Sequence, residues 1–306
     1  MLNVLEKVFM TVTGGELIIG ILGNGFIGLT TFIAWIRNQK LCLVDFILTS
    51  LAFARISQLW LTVANLFSVL LYQEGFGTVE RNYVLASSLI LANHLSIWLA
   101  TCLVVFYFLK IASFSNLPFL WLKRRIKKVV FILLLLSVPF LFMSFPFPYS
   151  FDGFWYHTQN ILERNITELY NVTQSQKLKF MLIFTAGSIP PFSLSLISFF
   201  LLLCSLWKHK KHIELSVRDS RDASMEAHFR AMRTVFFFLV FFALYHLAFF
   251  MTFGGHFLLV TTFIIIENVA FLYPSIHPFI LILGNQKLRQ TFASLLRQIE
   301  SCLKGM

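Results

Sequence analysis

Residues 234–286 read TVFFFLVFFALYHLAFFMTFGGHFLLVTTFIIIENVAFLYPSIHPFILILGNQ, a run of 53 positions in which Glu267 is the single charged side chain. As one helix at 1.5 Å per residue this run would be about 80 Å long, against a bilayer hydrocarbon core of about 30 Å. It therefore holds two spans, and Gly254-Gly255 marks a tight turn between them. The same criterion, an apolar stretch of about 17 to 25 residues without charge, finds five more windows upstream: 17–36, 56–73 (extended on its near side by Val44 to Ala54), 82–109, 129–151 and 180–207. The chain is thus read as an all-α integral membrane protein, a seven-transmembrane helix bundle. Its expected spans are about 12–36, 44–72, 83–109, 129–149, 180–207, 232–253 and 257–283, within one domain covering 1–306.

Composition agrees. Hydrophobic residues make up 58% of the 306 positions and charged residues 13%, where soluble domains have about 45–50% and about 25%. Mean hydropathy is +0.77. Disorder, collagen, coiled coil and a disulfide-stapled module are excluded. The net charge of +11 sits beside the apolar runs, which argues for membrane lipid and against nucleic acid as its partner.

Basic residues concentrate on the cytoplasmic side of membrane proteins. Alternate connections hold 19 of the 25 Lys and Arg; the opposite set holds Lys7, Arg81, Arg164, Lys177 and Lys179, and Arg55 lies inside a span. The N-terminus is therefore expected outside and the C-terminus inside. The segment from about 150 to 178, expected as an outer loop, carries Asn165-Ile166-Thr167 and Asn171-Val172-Thr173, two acceptor patterns for a glycan that is added on the lumenal side. No cleavable leader is read at the start, so the first span serves as its own signal.

Cys42, Cys102, Cys204 and Cys302 fall in spans, on the cytoplasmic side or in the tail, so none staples the outer loops, and their spacing fits no zinc site. No phosphate-cradling loop, metalloprotease motif or nucleophile elbow is present. No enzyme and no cofactor are expected. Gly23-Asn24-Gly25-Phe26-Ile27-Gly28 lies mid-span, after no strand, and reads as small residues that let helices approach.

Polar groups inside a span are costly and each needs a reason. Arg55 sits about eleven residues into the second span, with Asn24, Ser275 and His277 as candidate partners; it either pins helices or belongs to a moving switch. Glu267, about ten residues below the Gly-Gly turn, is either protonated and silent or recognises a polar or cationic molecule. Asn93 and His94 lie at comparable depth, His94 as a core residue and Asn93 as a candidate pocket contact. In the tail Leu288, Phe292, Leu295, Leu296 and Ile299 recur at helical spacing with cations between, which predicts an amphipathic helix over 285–300 on the inner leaflet.

Several longer runs resemble a known family. Asp45-Phe46-Ile47-Leu48-Thr49-Ser50-Leu51-Ala52 leading to Arg55-Ile56-Ser57, and Asn93-His94-Leu95-Ser96-Ile97-Trp98-Leu99-Ala100-Thr101-Cys102 leading to Phe106-Tyr107-Phe108-Leu109-Lys110, are similar to bitter taste receptors. So are Phe119-Leu120-Trp121-Leu122-Lys123, Ser205-Leu206-Trp207-Lys208-His209, and His277-Pro278-Phe279-Ile280-Leu281-Ile282-Leu283-Gly284-Asn285. The resemblance runs from the first span to the tail.

It implies a G-protein-coupled receptor in the plasma membrane, activated by a small bitter molecule and acting through a heterotrimeric G protein of the gustducin or inhibitory type, with phospholipase C and calcium release downstream. Carried over by position, Asn65, Leu89, Asn93, Tyr245 and Glu267 become ligand-binding candidates, and Asn165 a sugar acceptor beside Asn171. Leu89 departs from the Trp of several relatives, which removes an aromatic wall. Asn24, Arg55, Tyr107 and Lys110 become the inner switch and coupling region, to which His277 is added as the partner read for Arg55. A Phe-rich bundle, with 37 Phe and few polar groups, independently suits small apolar ligands with one polar handle. The competing class is a small transporter with a midplane site, against which stand the absence of a visible repeat and of paired intramembrane carboxylates.

Overall fold

The structure, a computed structural model, describes residues 4–38, 42–71, 79–144, 166–214, 222–254 and 260–304. Within these the regular structure is entirely helical: α1 (Val4–Asn38), α2 (Leu43–Leu71), α3 (Val79–Ile111), α4 (Leu117–Arg124), α5 (Ile126–Ser144), α6 (Ile166–Glu214), α7 (Asp222–Gly254), α8 (Val260–Gly284) and α9 (Gln286–Lys304). Six of them (α1, α2, α3, α5, α6 and α7) contain stretches long and apolar enough to cross a membrane, and α8 carries a shorter apolar stretch, Asn268–Gly284. The run that opened the reading is carried by two helices, α7 described as far as Gly254 and α8 from Val260. Residues 255–259, where the Gly254-Gly255 turn was expected, and Asn165 lie outside the described residues.

The helices assemble around α3 and the α1–α2–α8 group. α1 lies between α2 and α8, α2 also meets α3, and α7 packs on α8; α6 bridges α7 and α3, and α5 leans on α3. The core runs from Ile47, Leu48 and Leu51 of α2 through Cys102, Leu103 and Leu109 of α3 to Phe238 and Phe242 of α7 and Tyr273 of α8. Small residues set the closest approaches. A Cβ on Gly20 would meet Leu59 Cδ1 at 2.7 Å and Ser275 Cα at 3.1 Å, and one on Gly23 would meet Pro278 and Phe279 at 3.0 Å. Of the run 23–28 read as small residues that let helices approach, Gly23 makes such an approach, Gly28 meets Ala52 Cβ at 3.6 Å and Gly25 meets no atom within 4 Å; Gly20 lies before the run.

Three local features were not anticipated. α4 is a short helix between α3 and α5, begun by Asn116 in extended conformation with Pro in its first turn. A proline there fits, because the first N–H groups of a helix have no intrahelical partner. Phe119 fixes it by edge contacts to Phe108 and Phe114, at 5.5 and 5.2 Å between ring centres, while Lys123 Nζ donates to the Ala112 carbonyl just beyond α3 at 2.9 Å. α6 spans 49 residues, about 73 Å at 1.5 Å per residue, and so projects beyond any bilayer. Its first turns correct the reading of 150–178 as loop throughout, since the backbone of Asn171 is helical. Finally, Glu16 falls inside the apolar stretch Met10–Arg37, an acid within a helix of the bundle besides Glu267 of α8.

α9 follows α8 directly. Asn285 Oδ1 accepts from the backbone N–H of Lys287 at 3.0 Å and of Leu288 at 3.3 Å, which satisfies donors that a helix start leaves free. Leu288 is fully buried and Phe292 meets Phe26 of α1 edge-on at 5.3 Å. Leu295, Leu296, Ile299 and Leu303 remain exposed, the apolar face of a helix lying on a membrane surface.

Candidate functional site

Two groups of sequence-selected residues were expected, an outer pocket and an inner switch. The second is the better defined. Pro278, inside α8, has no N–H to give to the carbonyl of Pro274 four residues back, a loss worth about 3 kcal/mol in a helix interior. In a membrane such a freed carbonyl must find a donor nearby. Asn24 of α1 supplies it: its Nδ2 donates to Pro274 O at 3.0 Å and to Gly20 O of its own helix at 2.8 Å. Asn24 is thus fixed by the backbone defect of α8, which also explains why α1 needs glycines opposite it.

Arg55 is completely buried. Its partner is neither Asn24 nor Ser275, as expected, but Tyr273: Nη2 donates to the Tyr273 hydroxyl at 3.1 Å, and the guanidinium carbon stands 4.9 Å from the centre of the same ring. A cation over an aromatic face is attracted by the ring quadrupole. His277, one turn along α8, is buried with its ring 5.8 Å from that of Tyr273 and 5.8 Å from Phe238, so it borders the Arg55 site through Tyr273. Sequence reading missed Tyr273 because polarity was sought and a tyrosine in a Phe-rich span reads as packing.

The structure joins this layer to the outer candidates. One turn along α2 from Arg55, Gln58 Nε2 donates to Asn93 Oδ1 of α3 at 3.1 Å. The pairing Gln58 with Asn93 sets the antiparallel register and puts Arg55 at the level of Ser96. On α7, Tyr245 is half-buried and lies 6.3 Å from Tyr273, centre to centre. The pocket candidate Tyr245 and the switch candidate Arg55 therefore share Tyr273 as neighbour. Leu89 is half-buried one turn outward from Asn93. Asn65 and Glu267 are placed in α2 and α8, but their side chains, like that of Asn171, lie outside the described ones.

At the inner end the Tyr107 side chain of α3 interacts with the side chain of Asn285, the residue that caps α9. Lys110 is exposed, its ammonium 5.5 Å from the Phe106 ring centre. Lys287 Nζ reaches Asp45 Oδ2 at 2.9 Å and ties α9 to the start of α2. Between α3 and α6, Ser195 Oγ donates to Thr101 Oγ1 at 3.3 Å. Farther out, Thr13 Oγ1 donates to Asn268 Oδ1 at 3.1 Å and closes the seam of α1 with α8. No cluster of His, Cys, Asp and Glu able to hold a metal ion occurs among the described residues.

Among the described residues no nucleophile is paired with a base; there are polar contacts between helices, two of them between α1 and α8 and others between α2 and α3 and between α3 and α6, contacts of the kind that packed helices exchange when they rearrange. The family model described as Taste receptor protein (TAS2R) matches residues 1–300. Taste receptor type 2 member 7 of Papio hamadryas is 40% identical over 295 residues, covering 95% of this chain and 93% of its own length. Member 8 of Homo sapiens is 40% identical over 298 residues, covering 95% and 96%. Member 46 of Homo sapiens is 39% identical over 307 residues, covering 100% and 98%.

Proposed function

The chain belongs to the taste receptor (TAS2R) family, and from that membership we propose that it detects bitter small molecules and passes the signal to a gustducin- or inhibitory-type G protein and then to phospholipase C and calcium. It is a multi-pass protein of the cell membrane and a G-protein-coupled receptor rather than an enzyme. The observation that carries the reading is that the family match extends over the whole bundle, including the segments that hold Asn24, Arg55, Asn93 and Tyr107.

In this reading the N-terminus is outside, the domain is single, and the agonist enters the outer half of the bundle among Asn65, Leu89, Asn93, Tyr245 and Glu267. A ligand can shift a two-state equilibrium only through differential contact with the two states. Tyr245 supports such a contact because its neighbour Tyr273 holds Arg55; displacing that ring changes the environment of the buried cation, and the rearrangement reaches Tyr107, Lys110 and His277. The test is a calcium-response screen of bitter compounds in cells that carry the receptor and a chimeric G protein. Agonist-dependent responses, with Asn93→Ala and Tyr245→Ala altering potency at normal surface expression, are expected. Silence of a surface-expressed receptor toward a broad panel, or radiolabelled solute flux into vesicles, would overturn the proposal.

A further inference from the structure

A cavity of about 540 Å³ lies at the end of α7 that carries the basic residues, lined among others by Phe199 of α6, Phe229, Arg230, Arg233 and Phe236 of α7, and Arg289 of α9. Its direction can be read from α7 itself. Ala231, Val235, Phe238 and Phe242 are buried at helical spacing and define the face toward the bundle; Phe229, Arg233, Phe236 and Val240 are exposed and define the opposite face. Of the five α7 residues that line the groove, Phe229, Arg233 and Phe236 belong to the second set and none to the first, so it opens to the surroundings of the bundle and not into its centre. In a stretch that crosses the membrane, Phe229–Ala248, those surroundings are lipid.

Arg233 is therefore a cation at the border of the hydrocarbon, where an uncompensated charge is costly, and among the described residues it has no ion-pair partner. Arg230, one turn before Thr234, and Arg289, on the next helix, complete three guanidinium groups around one opening. A guanidinium fork matches phosphate oxygens in pairs. Directly beside the cations lie three phenylalanines, Phe199 and Phe236 being 6.2 Å apart between ring centres. Charge at one end and an apolar wall at the other fit an amphiphile with an anionic head, and basic pockets between helices on the cytoplasmic side are known to take phosphoinositide heads.

We propose that this groove binds an anionic phospholipid of the inner leaflet, its phosphate on Arg230, Arg233 and Arg289 and an acyl chain along Phe199, Phe229 and Phe236. The proposal rests on the orientation given under the proposed function only for the choice of leaflet. Bound there, the lipid spans α6, α7 and α9 and weights the position of α7.

The test uses the purified full-length receptor in phosphatidylcholine nanodiscs, with fluorescent phosphatidylinositol bisphosphate as the probe and no agonist or G protein present. Binding should weaken about 5-fold for each arginine removed, from about 1 kcal/mol per cation near an anionic surface, and so about 100-fold for Arg230→Gln, Arg233→Gln and Arg289→Gln together. The three Arg→Lys changes, which keep the charge, should retain most of it and serve as the folding control beside Arg233→Gln alone. Unchanged lipid affinity in the folded glutamine variant would overturn the proposal. So would soluble inositol phosphate binding as tightly as the lipid, which would make the site one for free phosphate. A glutamine variant that binds lipid normally but fails to activate G protein in neutral nanodiscs would assign the patch to a protein partner instead. Failure of the calcium screen would leave these results standing, so the two readings fall separately.

Discussion

α3 and α5 are both long apolar helices, separated in the chain by α4 and in contact, yet 67% of an 18-residue window within Ser87–Ile111 is buried and only 17% of Ile126–Met143. Apolarity brought both into the membrane and says nothing about which one the protein surrounds. The difference lies in the minority residues. α3 carries Asn93, Ser96, Thr101 and Cys102, with Asn93 and Thr101 bonded to other helices; Ser137 of α5 donates to Leu134 of its own helix at 2.7 Å. Because lipid tails are as apolar as leucine, helices are held by close packing and hydrogen bonds rather than by hydrophobicity. In this pair the helix with the interhelical hydrogen bonds is the one the bundle surrounds.

The largest effect should come from the most buried polar contact beside α3. Arg55→Ala removes a fully buried side chain and orphans the Tyr273 hydroxyl, at a cost of about 3 kcal/mol or more. Thermal melting of the purified receptor and surface expression should both fall, and every agonist should lose response alike. A change confined to one agonist would place Arg55 in the pocket.

A matched pair tests the comparison most directly. Leu103→Ala in α3, where the side chain is buried, should cost about 2–3 kcal/mol, and Leu135→Ala in α5, where it is exposed, less than about 0.5 kcal/mol. Equal losses in melting would mean that α5 is covered by something in solution. Within α1, Gly23→Val should cost about 1–3 kcal/mol through overpacking against Pro278 and Phe279, while Gly25→Ala, with no atom within 4 Å of the added carbon, should be neutral or slightly stabilising. Both read out as melting temperature in the same lipid mixture.

The smallest effect is the coupling between Gln58 and Asn93. A double-mutant cycle with Gln58→Ala and Asn93→Ala should give about 0.6 kcal/mol, the average for hydrogen bonds between membrane helices. A coupling near zero would free Asn93 entirely for ligand.

The helical class and the helical tail could be read from charge gaps and apolar spacing, since the bilayer imposes one rule on every span. Partner choice could not. Arg55 was assigned to Asn24, Ser275 or His277 because these are polar, whereas the pairing with Tyr273 depends on helix register, which no single span reveals. The Pro274 carbonyl is invisible in sequence until Pro278 is recognised as the residue that frees it. α4 was missed because a short helix with mixed polarity has too few turns to show a period, and Glu16 because a window drawn between charges ends where a charge stands. For the proposed ligand site, Asn93 was singled out by its cost in the membrane, and its partner Gln58, equally polar, was overlooked between stronger signals.

The bond from Asn24 to Pro274 joins positions 250 residues apart. At roughly 5–20 residues per second of synthesis, Asn24 enters the membrane about 10–50 s before its acceptor exists. Gly23, whose nearest neighbours are Pro278 and Phe279, also waits for α8. The contacts of the first helix are therefore among the last to be completed. Until Pro274 is made, the Asn24 amide has the Gly20 carbonyl of its own helix as acceptor and lacks the second one that α8 brings.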